Sequence, residues 1–318
     1  MKFAVVGATG NVGGLLSRSL LAAGHQVRAL TRGGPASDDL KRLGAEIYNG
    51  TFEDASSQVS TFFDGADAAY TMVRTDWTEA DHYACVAARI AAAIRQSGVR
   101  RVVNLSAMGA DIPSGAGHSS DFYKLEGALD TLASVQVIHL RCGWFMENFC
   151  RIAEGVAKYG RVAGMMPPHV KLSCIATCDI PGVAELMLVN PPASHRVIVE
   201  VHGSEDLTML DIVDKIARKI GRPVDYIHIS TKDENARAIF LKDFGTPEIW
   251  QHRVEMYDAF ALGRARFQEQ RSTLNSTSTT FDQYLDQAWM PVYKAALAGR
   301  DSLPETFESY LTARYSMR

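Results

Sequence analysis

The sequence predicts an α/β protein: a doubly wound parallel sheet, then a smaller α/β region with a helical extension. Three observations carry this. Strand-like and helix-like segments alternate as far as about residue 157, the pattern of a parallel sheet with helices on both faces. The first strand-like run opens directly into Gly7-Ala-Thr-Gly10-Asn-Val-Gly13 and a Leu-rich helical pattern. After Tyr159-Gly160 the strict alternation stops, so a division is expected between residues 1–157 and 158–318.

In chain order, the apolar run at 2–6 reads as a buried strand and 11–23 as the helix that follows the glycines. Strands are then expected near 26–30, 45–48, 67–72, 101–105 and 136–141, with helices near 38–43, 55–63, 78–97, 119–133 and 145–157 between and after them. The clearest helix runs from Glu79 to Gln96, because its Ala-rich stretch ends in Ser97-Gly98 before the apolar strand Arg101-Val-Val-Asn-Leu105. Beyond Met165-Met-Pro-Pro168 the signals are shorter. Helices are expected at Asp179 to Val189 and Thr208 to Ile220, the second stopped by Gly221-Arg-Pro223. Strands are expected at 196–201 and 224–229, both in the smaller region, which would cap the carboxyl edge of the sheet where open α/β folds bind ligands. Residues 232–318 read as mainly helical, interrupted by a polar loop at 272–280.

At 318 residues, 47% hydrophobic and 22% charged, the chain can bury a sizeable core. A net charge of −3 leaves no electrostatic footprint for nucleic acid. No apolar run approaches the roughly 20 residues of a membrane helix, and the start has no signal-peptide pattern. The five cysteines (Cys85, Cys142, Cys150, Cys174 and Cys178) are odd in number and form no Cys-x-x-Cys pair, which suits reduced thiols and a cytoplasmic location. Asn275-Ser-Thr is a glycosylation sequon by chance on this reading. The expected partner is a small molecule, with no nucleic acid, no membrane and no metal.

The glycine turn points to a dinucleotide. Gly7 permits the sharp turn out of the strand, Gly10 lets backbone approach a pyrophosphate, and Gly13 lets the helix pack closely, its N-terminal N–H groups facing the anion. Thr9, Asn11 and Val12 complete the loop. The spacing is not Gly-x-Gly-x-x-Gly; the strand before it and the helix after it make the case. The second strand ends in Thr31-Arg32-Gly33-Gly34, where an NAD-selective site places an acidic residue, yet the first aspartate is Asp38. A guanidinium there can pair with a 2′-phosphate that a carboxylate would repel. The expected cofactor is therefore NADP(H). Thr71 and Met72, after the fourth strand, and Phe52, after the third and offering a face to adenine, are expected along the same ligand.

The fifth strand ends in Asn104-Leu-Ser106, and the next helix carries Ser119-Ser120-Asp-Phe-Tyr123-Lys124-Leu-Glu126. In short-chain reductases the serine orients a carbonyl, a tyrosine donates the proton, and a lysine four residues later holds the nicotinamide ribose and lowers the phenol's pKa. Lys124 fits the lysine role and Ser106 the serine position, but Ser120 stands where the tyrosine belongs. Tyr123, adjacent to Lys124, lies about 100° around the helix. Lys124 and Tyr123 are the candidate catalytic residues. Three routes stay open: Lys124 handles the proton, a bound water or substrate group does so, or no hydride is transferred; His118, just before the helix, is another candidate donor.

The glycine turn, Val27-Arg-Ala-Leu-Thr-Arg32, Lys124-Leu-Glu126, Leu140-Arg-Cys-Gly-Trp-Phe-Met-Glu-Asn148-Phe149 and Glu205-Asp-Leu-Thr-Met-Leu-Asp-Ile212 together resemble the NmrA-like branch of atypical short-chain dehydrogenases. The resemblance covers residues 1 to about 230 and implies a Rossmann sheet. That branch contains NADPH-dependent quinone, isoflavone-type and azo-dye reductases, and also regulators that bind the dinucleotide without turnover. It implies an NADP site made by the glycine loop, Arg32, Thr71 and Lys124, with the 142–149 segment beside the nicotinamide. Cys142 stands where the family often has proline, and the chain beyond 230 exceeds the core pattern. Trp144, Phe145 and Asn148 are then the candidate substrate residues, an aromatic wall suited to a flat conjugated acceptor. The expected function is an NADPH-dependent oxidoreductase for quinone-, azo- or enone-like molecules, the alternative a redox-sensing regulatory protein. The aromatic-rich helices expected over 247–315 either close over the site or bury a second copy of the chain as a homodimer.

Overall fold

The computed structural model describes residues 1–76, 81–243 and 246–316. These form two compact units: Met1–Pro113, Ser120–Cys142 and Thr177–Val201 make the first, and Ser114–Ser119, Gly143–Ala176 and His202–Arg318 the second. The first begins with β1 (Lys2–Val5), α1 (Asn11–Ala22), β2 (Gln26–Thr31), α2 (Pro35–Arg42), β3 (Glu46–Asn49), β4 (Ala68–Thr71), α3 (His82–Ser97), β5 (Arg101–Ala107), α4 (His118–Asp130) and β6 (Gln136–Cys142). In the second follow β7 (Trp144–Phe145), a 3₁₀ turn at Met146–Ile152, α5 (Ala153–Tyr159), β8 (Arg161–Gly164) and β9 (Leu172–Ile175). The chain returns to the first unit for α6 (Ile180–Val189) and β10 (Arg196–Val201). The second is completed by β11 (Glu205–Leu207), α7 (Met209–Ile220), β12 (Asp225–His228), α8 (Glu234–Asp243), α9 (Pro247–Ala261), α10 (Phe281–Tyr284), a π-helical turn at Leu285–Trp289, α11 (Met290–Ala298) and α12 (Phe307–Ser316).

Among the described residues the first unit holds one parallel sheet of seven strands, in the order β10-β6-β5-β4-β1-β2-β3. Its central strands are apolar runs buried on both faces, β4 throughout and β1 after Lys2, as helices on both sides require. The order reverses between β1 and β4, which pair directly. Crossovers diverge there, so the carboxyl ends of these two strands open a crevice, the ligand position of doubly wound folds. The residues leaving β1 are the glycine turn, and those leaving β4 are Thr71 and Met72.

Four expectations are corrected. No helix forms at 55–63; turns take its place. There Ser56 N–H donates to Asp54 Oδ1 and Thr51 N–H to Ser57 Oγ, local bonds that compete with a helical ladder, while Phe62 and Phe63 sink into the core beneath α3. The helix expected at 145–157 divides, because Trp144 and Phe145 pair with Cys174 and Ile175 of β9 before the 3₁₀ turn begins. The strand at 196–201, assigned to the smaller region, is instead the seventh strand of the main sheet, in parallel register with β6 from Arg196↔Val137 to Val201↔Cys142. The boundary therefore falls after Cys142, with a return at 177–201, and differs from the division expected at 157/158. The expected helix at 78–97 is present from His82, and its residues 78–80 lie outside the described residues.

The second unit contains the three-stranded sheet β11-β9-β7, the pair β12-β8 and the C-terminal helices. Trp289 is fully buried and its indole N–H donates to Phe149 O at 2.9 Å. The 272–280 tract is a loop, as expected, fastened by Asn275, whose Oδ1 accepts from Ser272 N–H. All five cysteines are free thiols; burial pushes those of Cys142 and Cys174 up. Among the described residues no helix is long and apolar enough to cross a membrane.

Candidate cofactor site

The site is assembled in the first unit at the carboxyl ends of β1, β2, β4 and β5. Gly7 turns the chain with φ +68°, and a Cβ placed on it meets Met72 Sδ at 2.8 Å. A Cβ on Gly13 falls 2.4 Å from Gly7 O and 2.9 Å from Gly7 C, so α1 approaches the turn as closely as only glycine allows. Gly10 N–H donates to Gly7 O at 2.9 Å and closes the turn. Gly10 is also the N-cap of α1, where no side chain caps the helix and no acidic residue occupies the first turn. The helix's own first turn therefore supplies no anion to its N-terminal N–H groups and the positive end of its dipole. This cradle without side chains fits the pyrophosphate of a dinucleotide. Thr9 and Asn11 are exposed beside it, while Val12 turns its side chain into the core.

Thr31 is buried at the end of β2, and its Oγ1 accepts Gly33 N–H at 3.0 Å, fixing the turn that presents Arg32. Arg32 is exposed and forms no ion pair among the described residues. Phe52 is a correction: it is 3% exposed, with its ring stacked on Phe63 at 5.5 Å, so its apolar surface is spent in the core and offers no face to adenine. Thr71 is fully buried and donates to Asn104 Oδ1 at 3.2 Å. The bonds continue from Asn104 Nδ2 to His139 Nδ1 and from His139 Nε2 to Asp130 Oδ1. This consistent donor order assigns the proton of His139 to Nε2. Burial works against the Asp130 carboxylate, but its bond to His139 and the nearby Arg196 hold its pKa below the usual value.

Ser106 is buried and donates to Glu126 Oε1 at 2.6 Å. Glu126 is held in turn by Arg141, Nε to Oε1 at 3.0 Å and Nη2 to Oε2 at 2.7 Å. Desolvation opposes the Arg141 charge, but this fork-to-fork carboxylate raises the guanidinium pKa above its usual value. Ser106 thus gives its proton to a buried ion pair. Glu126, Arg141, Asn104 and His139 were not among the expected site residues. One signal was available: His139 and Arg141 interrupt the apolar run Val137–Cys142, and a polar or charged side chain inside a central strand requires a buried partner.

Lys124 is partly exposed, with its ammonium 3.5 Å from Asp81 and 3.8 Å from Asp121. Tyr123 is 45% exposed on the same helix, Ser120 is buried, and His118 is half-buried. The expected substrate residues lie in the second unit. Trp144 packs edge-on to Phe260 with centroids 5.6 Å apart, Phe145 is half-buried, and Asn148 is exposed on the 3₁₀ turn.

The strand order and the glycine cradle at the switch point define a dinucleotide-binding fold of the Rossmann type. The chain belongs to the NmrA-like family, whose sequence pattern matches residues 1–285. It is 27% identical over 243 residues to a (4-alkanoyl-5-oxo-2,5-dihydrofuran-3-yl)methyl phosphate reductase of Streptomyces griseus, covering 76% of this chain and 82% of that protein. Its fold is that of an NADPH-dependent quinone oxidoreductase from Escherichia coli solved with NADPH, with a TM-score of 0.74, 19% identity, and 89% and 98% of the two chains covered. The negative transcriptional regulator NmrA shares the fold too, at a TM-score of 0.69 and 16% identity, with 92% and 97% covered. A nicotinamide dinucleotide is the class of ligand the cradle fits.

Proposed function

We propose that the protein is an NADPH-dependent oxidoreductase that reduces a small conjugated acceptor of quinone, azo or enone type. The observation that carries the cofactor is the pairing of the glycine cradle with Arg32, exposed and without an ion-pair partner among the described residues, in the turn Thr31-Arg32-Gly33-Gly34 that holds no carboxylate. When bound, the nicotinamide supplies a hydride. The residues of the chain do the rest. Gly7, Gly10 and Gly13 with the N-terminus of α1 bind the diphosphate, Arg32 pairs with the 2′-phosphate, and Met72 packs against the turn. Lys124 leaves its two aspartates to bind the ribose, and its ammonium carries the proton for the reduced acceptor. Trp144, Phe145 and Asn148 bind the acceptor. The reductase activity of the Streptomyces griseus relative, named for an unsaturated lactone carrying a phosphate, supports this reading.

A second reading, a dinucleotide-bound redox sensor, is favoured by one feature. Ser106 is committed to Glu126, Ser120 stands where a phenol would, and Tyr123 faces solvent. NADPH oxidation followed against quinones, azo dyes and enones, with Lys124→Ala alongside, separates the two. Turnover that falls in Lys124→Ala while NADPH binding is largely kept supports the reductase; tight NADPH binding with no acceptor turned over supports the sensor.

A further inference from the structure

The ammonium of Lys124 is held by two carboxylates of different origin. Asp121, buried one turn earlier on the same helix α4, lies 3.8 Å away, while Asp81, the residue that precedes α3, lies 3.5 Å away. The second contact joins two helices. Packing explains how they meet: Tyr83 in the first turn of α3 and Phe122 on α4 set their rings edge to face, with centroids 5.1 Å apart, and Val86, Ile90, Leu125 and Leu129 of the same helices share one core cluster. Asp81, just before Tyr83, and Lys124, just after Phe122, meet at one end of this contact.

Asp81 has another use open to it. It is the N-cap residue of α3, where an aspartate ordinarily accepts a bond from the second or third N–H of the helix. Its side chain takes no such bond. The carboxylate is also 80% exposed, so neither capping nor burial accounts for its direction. The ammonium of Lys124 does.

We infer that Asp81 is a positioning residue of the cofactor site: it parks Lys124 against the start of α3, and binding of the dinucleotide must break this contact. The inference rests on the reading that Lys124 binds the nicotinamide ribose. It holds for reductase and sensor alike, because both bind NADPH. Since Asp81 faces solvent, the contact has the modest strength of a surface ion pair, and a ligand that takes only the released lysine binds more weakly in proportion to the fraction released.

The test is calorimetric titration of NADPH into the parent, Asp81→Asn, Lys124→Met and the double variant. Asparagine keeps the shape and capping capacity of Asp81 and removes its charge, at an exposed position where the fold does not depend on it. Asp81→Asn is expected to tighten NADPH binding by about two- to fivefold. Lys124→Met is expected to weaken it by about tenfold or more, the loss of a charge-assisted contact, and adding Asp81→Asn to it to change nothing further. The inference is overturned if Asp81→Asn leaves NADPH affinity unchanged or weaker. It is overturned equally if the same tightening appears in the Lys124→Met background, because Asp81 would then act by repelling the phosphates and not by holding the lysine. Lys124→Met that binds NADPH as the parent does refutes the ribose reading itself, and the inference falls with it.

Discussion

Replacing Gly13 by alanine tests the nucleotide cradle at its tightest point. The new Cβ would sit 2.4 Å from Gly7 O and 2.9 Å from Gly7 C. Both neighbours are backbone of the turn itself, so no flexible side chain can give way and either α1 or the turn must move. Overpacking of this kind costs about 1–3 kcal/mol. If that cost falls on the geometry that receives the pyrophosphate, NADPH binding weakens by about 5- to 150-fold, since 1.4 kcal/mol is a factor of ten. Gly182→Ala is the control. Gly182 lies within α6, a Cβ there meets nothing within 4 Å, and the substitution is expected to leave NADPH binding unchanged and to stabilise the helix by up to about 1 kcal/mol. Calorimetric titration with NADPH, alongside thermal unfolding, reads both effects. Gly13→Ala that binds NADPH within about twofold of the parent would refute the cradle.

Other consequences are equally open to measurement. Arg32→Ala is expected to weaken NADPH by about tenfold and leave NADH nearly unchanged, as loss of a charge-assisted phosphate contact predicts; an equal loss for both would remove Arg32 from cofactor selection. Glu126→Gln leaves the Arg141 guanidinium buried without its counter-charge and is expected to cost about 3–5 kcal/mol of stability in denaturant unfolding. Ser106→Ala, which removes only a hydroxyl donor, should cost about 1.5–3 kcal/mol. Asp211 closes the capping box of α7 with Thr208, and bonds from the Thr208 hydroxyl and N–H hold its pKa below the usual aspartate value. Its stabilising contribution is therefore complete above the unfolded-state pKa of about 3.9 and is lost as pH falls through the lower folded-state value. Asp211→Asn should flatten that acid limb of the stability curve, and an unaltered limb would contradict the assignment.

The glycine turn at the switch point was legible because it is a local signal at a strand end; Arg32 and Lys124 are likewise singled out by local signals, an arginine without a neighbouring acid and a lysine on a helix. The alternation that fixed β1 to β6 is equally local. What escaped the sequence is set by distance along the chain. Nothing in Arg196–Val201 says that it pairs with a strand some sixty residues earlier; only the unmet edge of β6 decides it. Phe52 reads as an aromatic at a strand end, yet the clustering of Phe62 and Phe63, invisible to a helix-based reading of 55–63, draws it into the core. The Ser106–Glu126–Arg141 arrangement joins β5, α4 and β6, so each residue alone looked like a family motif and not a shared buried charge.

Hydride transfer itself is the central claim, and NADPH deuterated at C4 of the nicotinamide tests it most directly. With each of the two C4 epimers and an enone acceptor, mass spectrometry of the product locates the label. The account predicts deuterium on carbon in the reduced acceptor from one epimer and none from the other, with less labelled product from Gly13→Ala when NADPH is limiting. A protein that binds NADPH tightly and yields no reduced acceptor, or a reduced product without label from either epimer, would contradict it.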